Sequence, residues 1–421
     1  MKVAIVGGGI GGMALALSLH DAGIADVDIY ESAPAIKELG VGINVLPHAV
    51  RELTELGLLD DLLSVGIPTA ELVFYSKLGQ RIWAETRGQA AGYRWPQVAI
   101  HRGELLGVLH RAVLSRLGAE RVHPGHHLVR CGQDNSGQAC GDFVDRATEK
   151  PVGRIEADLL VGCDGIHSVI RRQFHPEEGP VKWDGTTLWR GVTIGEPFLS
   201  GRTMVLAGHL DRYIVVYPIS KRHESEGLAL INWVACVRNA DGQPMPPQDW
   251  DHTARVDEVL EAFASFRFDF LDMPALIQGA EAIYAYPMVD RDPLPTWTFG
   301  RITLLGDAAH PMYPVGSNGA SQAIIDARVL TRELALGPSI EAAIASYDAE
   351  RRPATAGVVQ ANRRGGPEQI LQVIEERAPD GFTNLGDIIT PRELEEISHA
   401  YHRTAGFDSE SLNNRPSHSV R

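Results

Sequence analysis

The sequence predicts an α/β fold in which a parallel sheet is assembled from separated stretches of chain. A mainly antiparallel sheet is inserted between them, and helices follow at the C-terminal end. Three observations predict it. A β-branched run, Lys2 to Val6, meets a glycine cluster and then MALALSLHDAG, of helical composition, before DVDIYESA supplies a second strand. Two later apolar runs, in RIEADLLVGCDG and RITLLGDAAH, end at glycines in the manner of buried parallel strands. Between these runs, TMVLAG, RYIVVYPI and LALINWVACV read as strands of a different sheet, spanning about Thr186 to Met288.

The elements follow in order. The helix of the first β-turn-α-β unit ends at Gly23, and after the second strand an amphipathic helix follows from about His48 to Leu56, ended by Gly57. ELVFYSKLGQRIWAE reads as a hairpin turning near Lys77 to Gly79, and HRGELLGVLHRAVLSRL returns to helix. Residues 125–160 read as short strands around a polar loop at Asp134 to Gly141. Within the second sheet, the proline-rich loop GQPMPPQDW precedes helices between about Thr253 and Leu276. A helix is expected from about Gly319 to Leu336, and the tail SLNNRPSHSVR is expected to fray. The segments are then 1–72, 101–180 and 296–362 for the parallel-sheet domain, 73–100 and 181–295 for the inserted one, and 363–421 for C-terminal helices.

Bulk properties narrow the function. The chain has 421 residues, 44% of them hydrophobic, enough for a large core. Its formal charge is -15, from 39 basic and 54 acidic residues, which argues against nucleic acid as a partner. There is no long apolar run for a membrane span, and the N-terminus reads as a strand instead of a signal peptide, so a cytoplasmic protein is expected. Cys131, Cys140, Cys163 and Cys236 have no CxxC spacing, which disfavours a zinc site or disulfide framework; no metal is expected, and Cys163 reads as buried beside a strand.

Three constellations carry chemistry. In VGGGIGGM, Gly7 permits a tight turn, Gly9 lets the backbone approach a pyrophosphate, and Gly12 allows close helix packing. Glu31, after the second strand, suits both ribose hydroxyls of an adenosine diphosphate moiety without a 2′-phosphate, as in FAD or NAD. In CDGIHSVIRRQF, Asp164 and Gly165 follow a strand, and Arg171 lies on the succeeding turn with Ser168; an Asp N-cap beside a solvated arginine is an equal reading of the same residues. In GDAAHPMYPVGSNGASQAIIDA, Asp307 ends a buried strand and needs a hydrogen-bonding partner. Pro311 and Pro314 stiffen the turn, and Gly316 and Gly319 admit a flat ligand before a helix N-terminus. His310 invites acid-base chemistry, yet no nucleophile elbow or metal-ligand spacing accompanies it, so it reads as scaffold. Arg102 opens a helix, where it opposes the dipole unless an anion sits nearby; a solvent-facing arginine is the alternative.

Together, GGGIGG with Glu31, CDGIHSVIR and GDAAHPMYPVGSNG resemble the three ordered fingerprints of the single-component FAD-dependent aromatic hydroxylases, the p-hydroxybenzoate and salicylate hydroxylase type. The likeness spans roughly residues 1–360. WRGVT, DRDPLP and the Gly316-Ser317-Asn318-Gly319 form of the third motif are similar to the phenazine-modifying monooxygenases that act on 5-methylphenazine-1-carboxylate. Many other relatives carry a glutamine between two glycines there.

The resemblance implies a Rossmann-like FAD-binding domain of the p-hydroxybenzoate hydroxylase type. It implies that Gly7, Gly9, Gly12 and Glu31 hold the ADP half of FAD, with Arg102 at the phosphate or ribityl region and Val129 beside the adenine. Asp164 and Gly165 bridge flavin and nicotinamide roles, Arg171 supports them, and Asp307 takes the ribityl or pyrophosphate region. Gly42, Ile43 and Pro314 to Gly319 border the isoalloxazine. NADH or NADPH reduces the flavin, O2 forms the C4a-hydroperoxide, and one oxygen passes to an aromatic or heteroaromatic, carboxylated small molecule, with or without decarboxylation. Trp189, Arg190, Tyr217, Trp233 and Tyr313 are the pocket candidates; aromatics offer stacking area and Arg190 a carboxylate partner. A monomer or homodimer is expected. The alternatives are a flavin reductase or dehydrogenase without oxygen insertion, and a non-catalytic flavin-dependent binding or regulatory protein. The tryptophan-rich WxWxIP segment of a halogenase is absent from the sequence.

Overall fold

A computed structural model describes residues 1–38, 40–247 and 252–420. Part of the proline-rich loop GQPMPPQDW, residues 248–250, lies outside the described residues. At the centre is a five-stranded parallel sheet in the spatial order Ile302–Leu304, Leu159–Gly162, Lys2–Val6, Asp26–Glu31, Val122–Pro124. The β-branched and leucine-rich sequences of the inner strands match burial on both faces: Val3, Ile5, Leu160, Val161 and Ile29 are all fully buried.

Three of these strands, distant in sequence, end side by side. Val6 is in register with Gly162, and Gly162 with Leu304. Parallel pairing therefore brings the residues after each strand, Gly7, Cys163-Asp164 and Gly306-Asp307, to one edge of the sheet. Carboxyl ends of parallel strands at a crossover are where α/β folds bind nucleotides. The helices Ile10–Asp21, Arg102–Leu117 and Gly319–Leu336 cover the sheet, with the first packed between the other two. Such a sandwiched helix can be apolar all round, as MALALSL is.

A second, seven-stranded sheet runs in the order Ile283–Asp290, Lys182–Gly195, Ala229–Arg238, Arg212–Ser220, Thr203–His209, Glu71–Tyr75, Arg81–Thr86. It is antiparallel except for the pairing of Thr203–His209 with Glu71–Tyr75. The expected α/β architecture with an inserted, mainly antiparallel sheet is present. Two strands sit differently from the segment boundaries read in the sequence. Glu71–Tyr75 lies wholly in the large sheet, and Gln97–His101 pairs with Gly42–Val45 and Ile67–Thr69 in a separate three-stranded sheet. Another small antiparallel sheet comprises His127–Gln133, Ala139–Val144 and Pro151–Ala157.

The C-terminal region closes the molecule. The helix Ile340–Arg363 leads to a turn, Gly366–Glu368, and the helices Gln369–Arg377 and Pro391–Thr404, the last opened by a Thr390–Glu393 capping box. Ile370, Leu371 and Ile374 pack into one apolar cluster with Leu188 and Tyr217 of the large sheet and Tyr313 of the loop after the strand Ile302–Leu304. The tail does not fray. Ser409–Asn414 is helical, Leu412 is buried, Arg415 bonds Glu52, and His418 is enclosed beside Arg332 and Arg415. Its polar composition concealed an ion pair from Arg415 to the buried carboxylate of Glu52.

Candidate functional site

The first end of the site is backbone. Gly7 has φ +111°, and a Cβ there would lie 2.2 Å from the Cys163 carbonyl, so only glycine lets the two strand ends meet. A Cβ on Gly12 would come within 2.0 Å of the Gly7 carbonyl, which fixes the helix against the turn. Gly9 is different: nothing lies within 4 Å of its added Cβ, and it precedes a helix with no side-chain cap. The open space and the free N–H groups form an anion cradle. Glu31 accepts hydrogen bonds from Gly8 N at 2.7 Å and Ala33 N at 2.7 Å, which holds its carboxylate beside that cradle. Val129 is 46% exposed on the small sheet of His127–Gln133.

At the second strand end, Asp164 Oδ2 accepts from Val169 N at 2.8 Å, while buried Oδ1 has no partner. Burial pushes its carboxyl above the usual range. An acceptor held in this state fits a hydroxyl or N–H of a bound cofactor. Gly165, with φ +74° and open space around it, forms the turn. Half-buried Cys163, placed beside its strand as expected, is a free thiol. Arg171 meets protein groups and takes the supporting place expected of it. Its fully buried guanidinium donates to the Ala308 and Ala309 carbonyls at 3.2 and 2.7 Å, to Asp292 O, and to Glu178. Those bonds consume the fork, so Arg171 clamps the second motif to the third from behind.

The third strand end supplies Asp307, which opens onto the cleft. The protein crowding around it nevertheless pushes its carboxyl upward, an effect that His310 and Arg102 oppose. Arg102, exposed at the first position of its helix, therefore shares this cleft, and its backbone N bonds Val41 O at 2.9 Å. His310 faces away: its Nε2 lies 2.5 Å from Asp326 Oδ2, and Asp326 also binds Gly306 N and Arg351. It is buried scaffold. Pro314 is exposed, Gly316 and Ser317 both take left-handed backbone (φ +63° and +59°), and Gly319 starts the long helix near Asp307. Tyr401 from the C-terminal helix braces this loop, its hydroxyl lying 3.1 Å from Val315 O and 2.9 Å from Asn318 Nδ2.

The large sheet faces the loop with alternate side chains. Along Lys182–Gly195, Leu188, Arg190 and Val192 share the near face. Arg190 Nη2 donates to Gly42 O at 2.7 Å, its Nε is buried without a partner, and desolvation lowers its pKa. Gly42 N in turn donates to Asn232 Oδ1 at 2.7 Å, and Ile43 beside it is half-buried. Tyr217 and Tyr313 belong to the same apolar cluster as Leu188. Trp189 and Trp233 do not. They sit in the opposite cluster with Ile214 and Val216, and Trp233 Nε1 bonds Thr193 Oγ1 at 3.2 Å. Both pocket expectations are corrected: strand parity turns these rings to the far face. Sequence reading missed Asn44, Asn232, Glu368 and Tyr401. Asn44 and Asn232 show only as polar residues in apolar runs, and Glu368 and Tyr401 lie in polar stretches outside every motif, so none reveals itself without the pairing.

The parts fit FAD: an anion cradle at Gly9, a carboxylate at Glu31, an unpartnered acceptor at Asp164, a carboxylate at Asp307 and a backbone loop at 314–319. The FAD binding domain family matches residues 1–362. The chain belongs to that family. This flavoprotein is 45% identical over 366 residues to a phenazine 1,6-dicarboxylic acid hydroxylase of Lysobacter antibioticus, covering 86% of this chain and 89% of that one. It is 30% identical to salicylate hydroxylase of Pseudomonas putida, covering 87% and 85%. Among solved structures, a salicylate hydroxylase substrate complex matches with TM-score 0.74 and 22% identity, covering 99% of this chain and 98% of that one. The flavoprotein is thus an FAD-dependent monooxygenase of the aromatic-hydroxylase type, for which NAD(P)H and O2 are the co-substrates. No helix among the described residues is long and apolar enough to cross a membrane.

Proposed function

We propose that this flavoprotein hydroxylates a carboxylated, nitrogen-containing polycyclic aromatic of the phenazine class, with the parallel-sheet unit as the cofactor half and the seven-stranded sheet as the substrate half. The observation that carries the substrate class is Arg190, a half-buried side chain whose Nε is buried and unpartnered on the face toward the 314–319 loop. A desolvated cation without a counter-ion is costly, and a substrate carboxylate repays that cost with a charge-assisted hydrogen bond. The 45% identical relative, named for a phenazine dicarboxylic acid, supports the same class.

Gly7, Gly9 and Gly12 would hold the pyrophosphate side of FAD, Glu31 the ribose, and Asp164 and Asp307 the polar chain leading to the ring, with Arg102 nearby; Gly42, Ile43 and the 314–319 loop would border the ring itself. Val129 would flank the adenine. Bound FAD, reduced by NADH or NADPH, supplies oxygen activation. The protein binds, orients and excludes water: Leu188, Tyr213, Tyr217, Cys236 and Tyr313 make the near face apolar, while Arg190 fixes the ring's heading. The N-terminus of the helix Gly319–Leu336 directs its free N–H groups toward negative charge at the loop. Arg146 and Arg172, which share the neighbourhood of His127 with Asp164, offer a docking place for the phosphates of the nicotinamide nucleotide. The enzyme would act in the cytoplasm as a monomer or homodimer.

The test is a screen of the FAD-loaded enzyme with phenazine-1-carboxylate, phenazine-1,6-dicarboxylate, salicylate and 6-hydroxynicotinate. Stimulated NAD(P)H oxidation by the phenazine acids, exceeding that by the single-ring acids, is expected. Equal or greater stimulation by the single-ring acids would overturn the phenazine assignment.

A further inference from the structure

A second unpartnered polar atom faces the same region as Arg190. Glu368, 6% exposed, sits in the turn Gly366–Glu368 that follows the long helix, beyond the stretch that matches the family. Its Oε1 accepts from Gly316 N at 3.3 Å, while Oε2 is buried without a partner. The charged and titratable groups around it are Arg87, Tyr401, Tyr213 and Cys236.

Cys236 locates Glu368 relative to Arg190. Its thiol feels both of them. It lies opposite Leu188 on one neighbouring strand and Tyr213 on the other, two residues along from Val234, the partner of Arg190. That step is roughly 7 Å along a strand. Two polar groups of opposite character, the half-buried Arg190 and the buried Glu368, thus flank one apolar patch, and Glu368 is bonded to the 314–319 loop.

Building on the Proposed function, we infer that Glu368 is a substrate-specificity residue, whose free oxygen accepts a hydrogen bond from an O–H or N–H of the aromatic ring whose carboxylate is held by Arg190. Ring chemistry agrees. Oxygen transfer to an aromatic ring is favoured by electron-donating hydroxyl or amino substituents, and these are hydrogen-bond donors. A buried acceptor left unpaired costs free energy that such a donor recovers, whereas a substrate lacking it leaves the cost standing. Desolvation raises the Glu368 carboxyl to about 7, and a donor supplied by the substrate would favour its ionised, accepting form.

The experiment uses the FAD-loaded full chain and three probes: phenazine-1-carboxylate, 6-hydroxyphenazine-1-carboxylate and 6-methoxyphenazine-1-carboxylate. Wild type should bind the hydroxylated probe about tenfold tighter than the other two. In Glu368→Gln, which keeps an acceptor for Gly316 N, that preference should fall below about threefold while affinity for phenazine-1-carboxylate and FAD content stay at wild-type level. Should the variant fail to fold, the wild-type comparison of hydroxyl with methoxyl decides alone. Undiminished preference in Glu368→Gln, or no preference in wild type, overturns the assignment of Glu368. Failure of all three probes to bind would instead overturn the phenazine reading on which it rests.

Discussion

Arg190 and Gly42 join the two halves of the molecule: the guanidinium, rising from the seven-stranded sheet, donates to the Gly42 carbonyl at 2.7 Å. Gly42 belongs to the small sheet beside the cofactor cleft, and its N–H is taken by Asn232 of the large sheet. A Cβ at Gly42 would lie 2.6 Å from both Asn232 Cβ and Ile219 Cγ2. Gly42→Ala should therefore force the halves apart, destabilising the fold by about 1–3 kcal/mol. Thermal unfolding with and without FAD should show a lowered Tm in both; an unchanged Tm would mean that the interface yields freely.

Arg190 and Trp189 are neighbours in sequence with opposite destinations. Arg190→Gln removes the anion partner from the near face and should raise KM for a carboxylated substrate by about tenfold to a hundredfold. Trp189→Phe alters only the far cluster and should leave KM within about twofold. Steady-state kinetics on the two variants separates these outcomes, and equal effects would refute the assignment by strand parity.

His310 tests whether a histidine in a fingerprint is chemical or structural. Burial alone would push Asp326 up, but the nearby His310 and Arg351 hold it below the usual carboxylate range. Asp326→Ala should cost about 3–5 kcal/mol by stranding buried partners. His310→Asn should lower Tm yet leave the pH profile of turnover in place. A displaced acid or base limb in that variant would show that His310 exchanges protons during catalysis.

The enclosed tail gives a pH dependence of stability. Desolvation lowers His418 to about 2, reinforced by Arg415 and Arg332. A histidine with a depressed folded pKa is neutral in the native state, while the unfolded chain takes up the proton below about 6.5. Its contribution is therefore complete above that pH and is lost as pH falls, by about 1.4 kcal/mol per unit. The difference in unfolding free energy between wild type and His418→Gln should shrink by that slope between pH 6.5 and 5. A constant difference would show that His418 is not enclosed in solution.

These cases also show what could be read in the sequence. The three strand-end motifs were legible because glycine spacing reports close backbone approach directly, as at Gly7 and Gly12. The helix from Gly319 to Leu336 was legible from its apolar period. Side-chain destination was not. Trp189 and Arg190 differ by one residue, and only pairing with Ala235 and Val234 fixes which face each takes. Arg171 was legible as a support of the second motif, but its partners, the Ala308 and Ala309 carbonyls, were not, because an arginine after a DG turn has the same sequence whether it faces solvent or backbone carbonyls. Glu368 and Tyr401 lie far from every motif, and reach the 314–319 loop only through the packing of the C-terminal helices.

The central claim is oxygen insertion into an aromatic carboxylate at a flavin held by the three strand ends. Its most direct test is turnover of the FAD-loaded enzyme with phenazine-1-carboxylate, NAD(P)H and isotopically labelled dioxygen, followed by product mass. One labelled oxygen atom in each product molecule is predicted, whether or not the carboxyl group is lost. Consumption of NAD(P)H with an unlabelled or unchanged aromatic would contradict it.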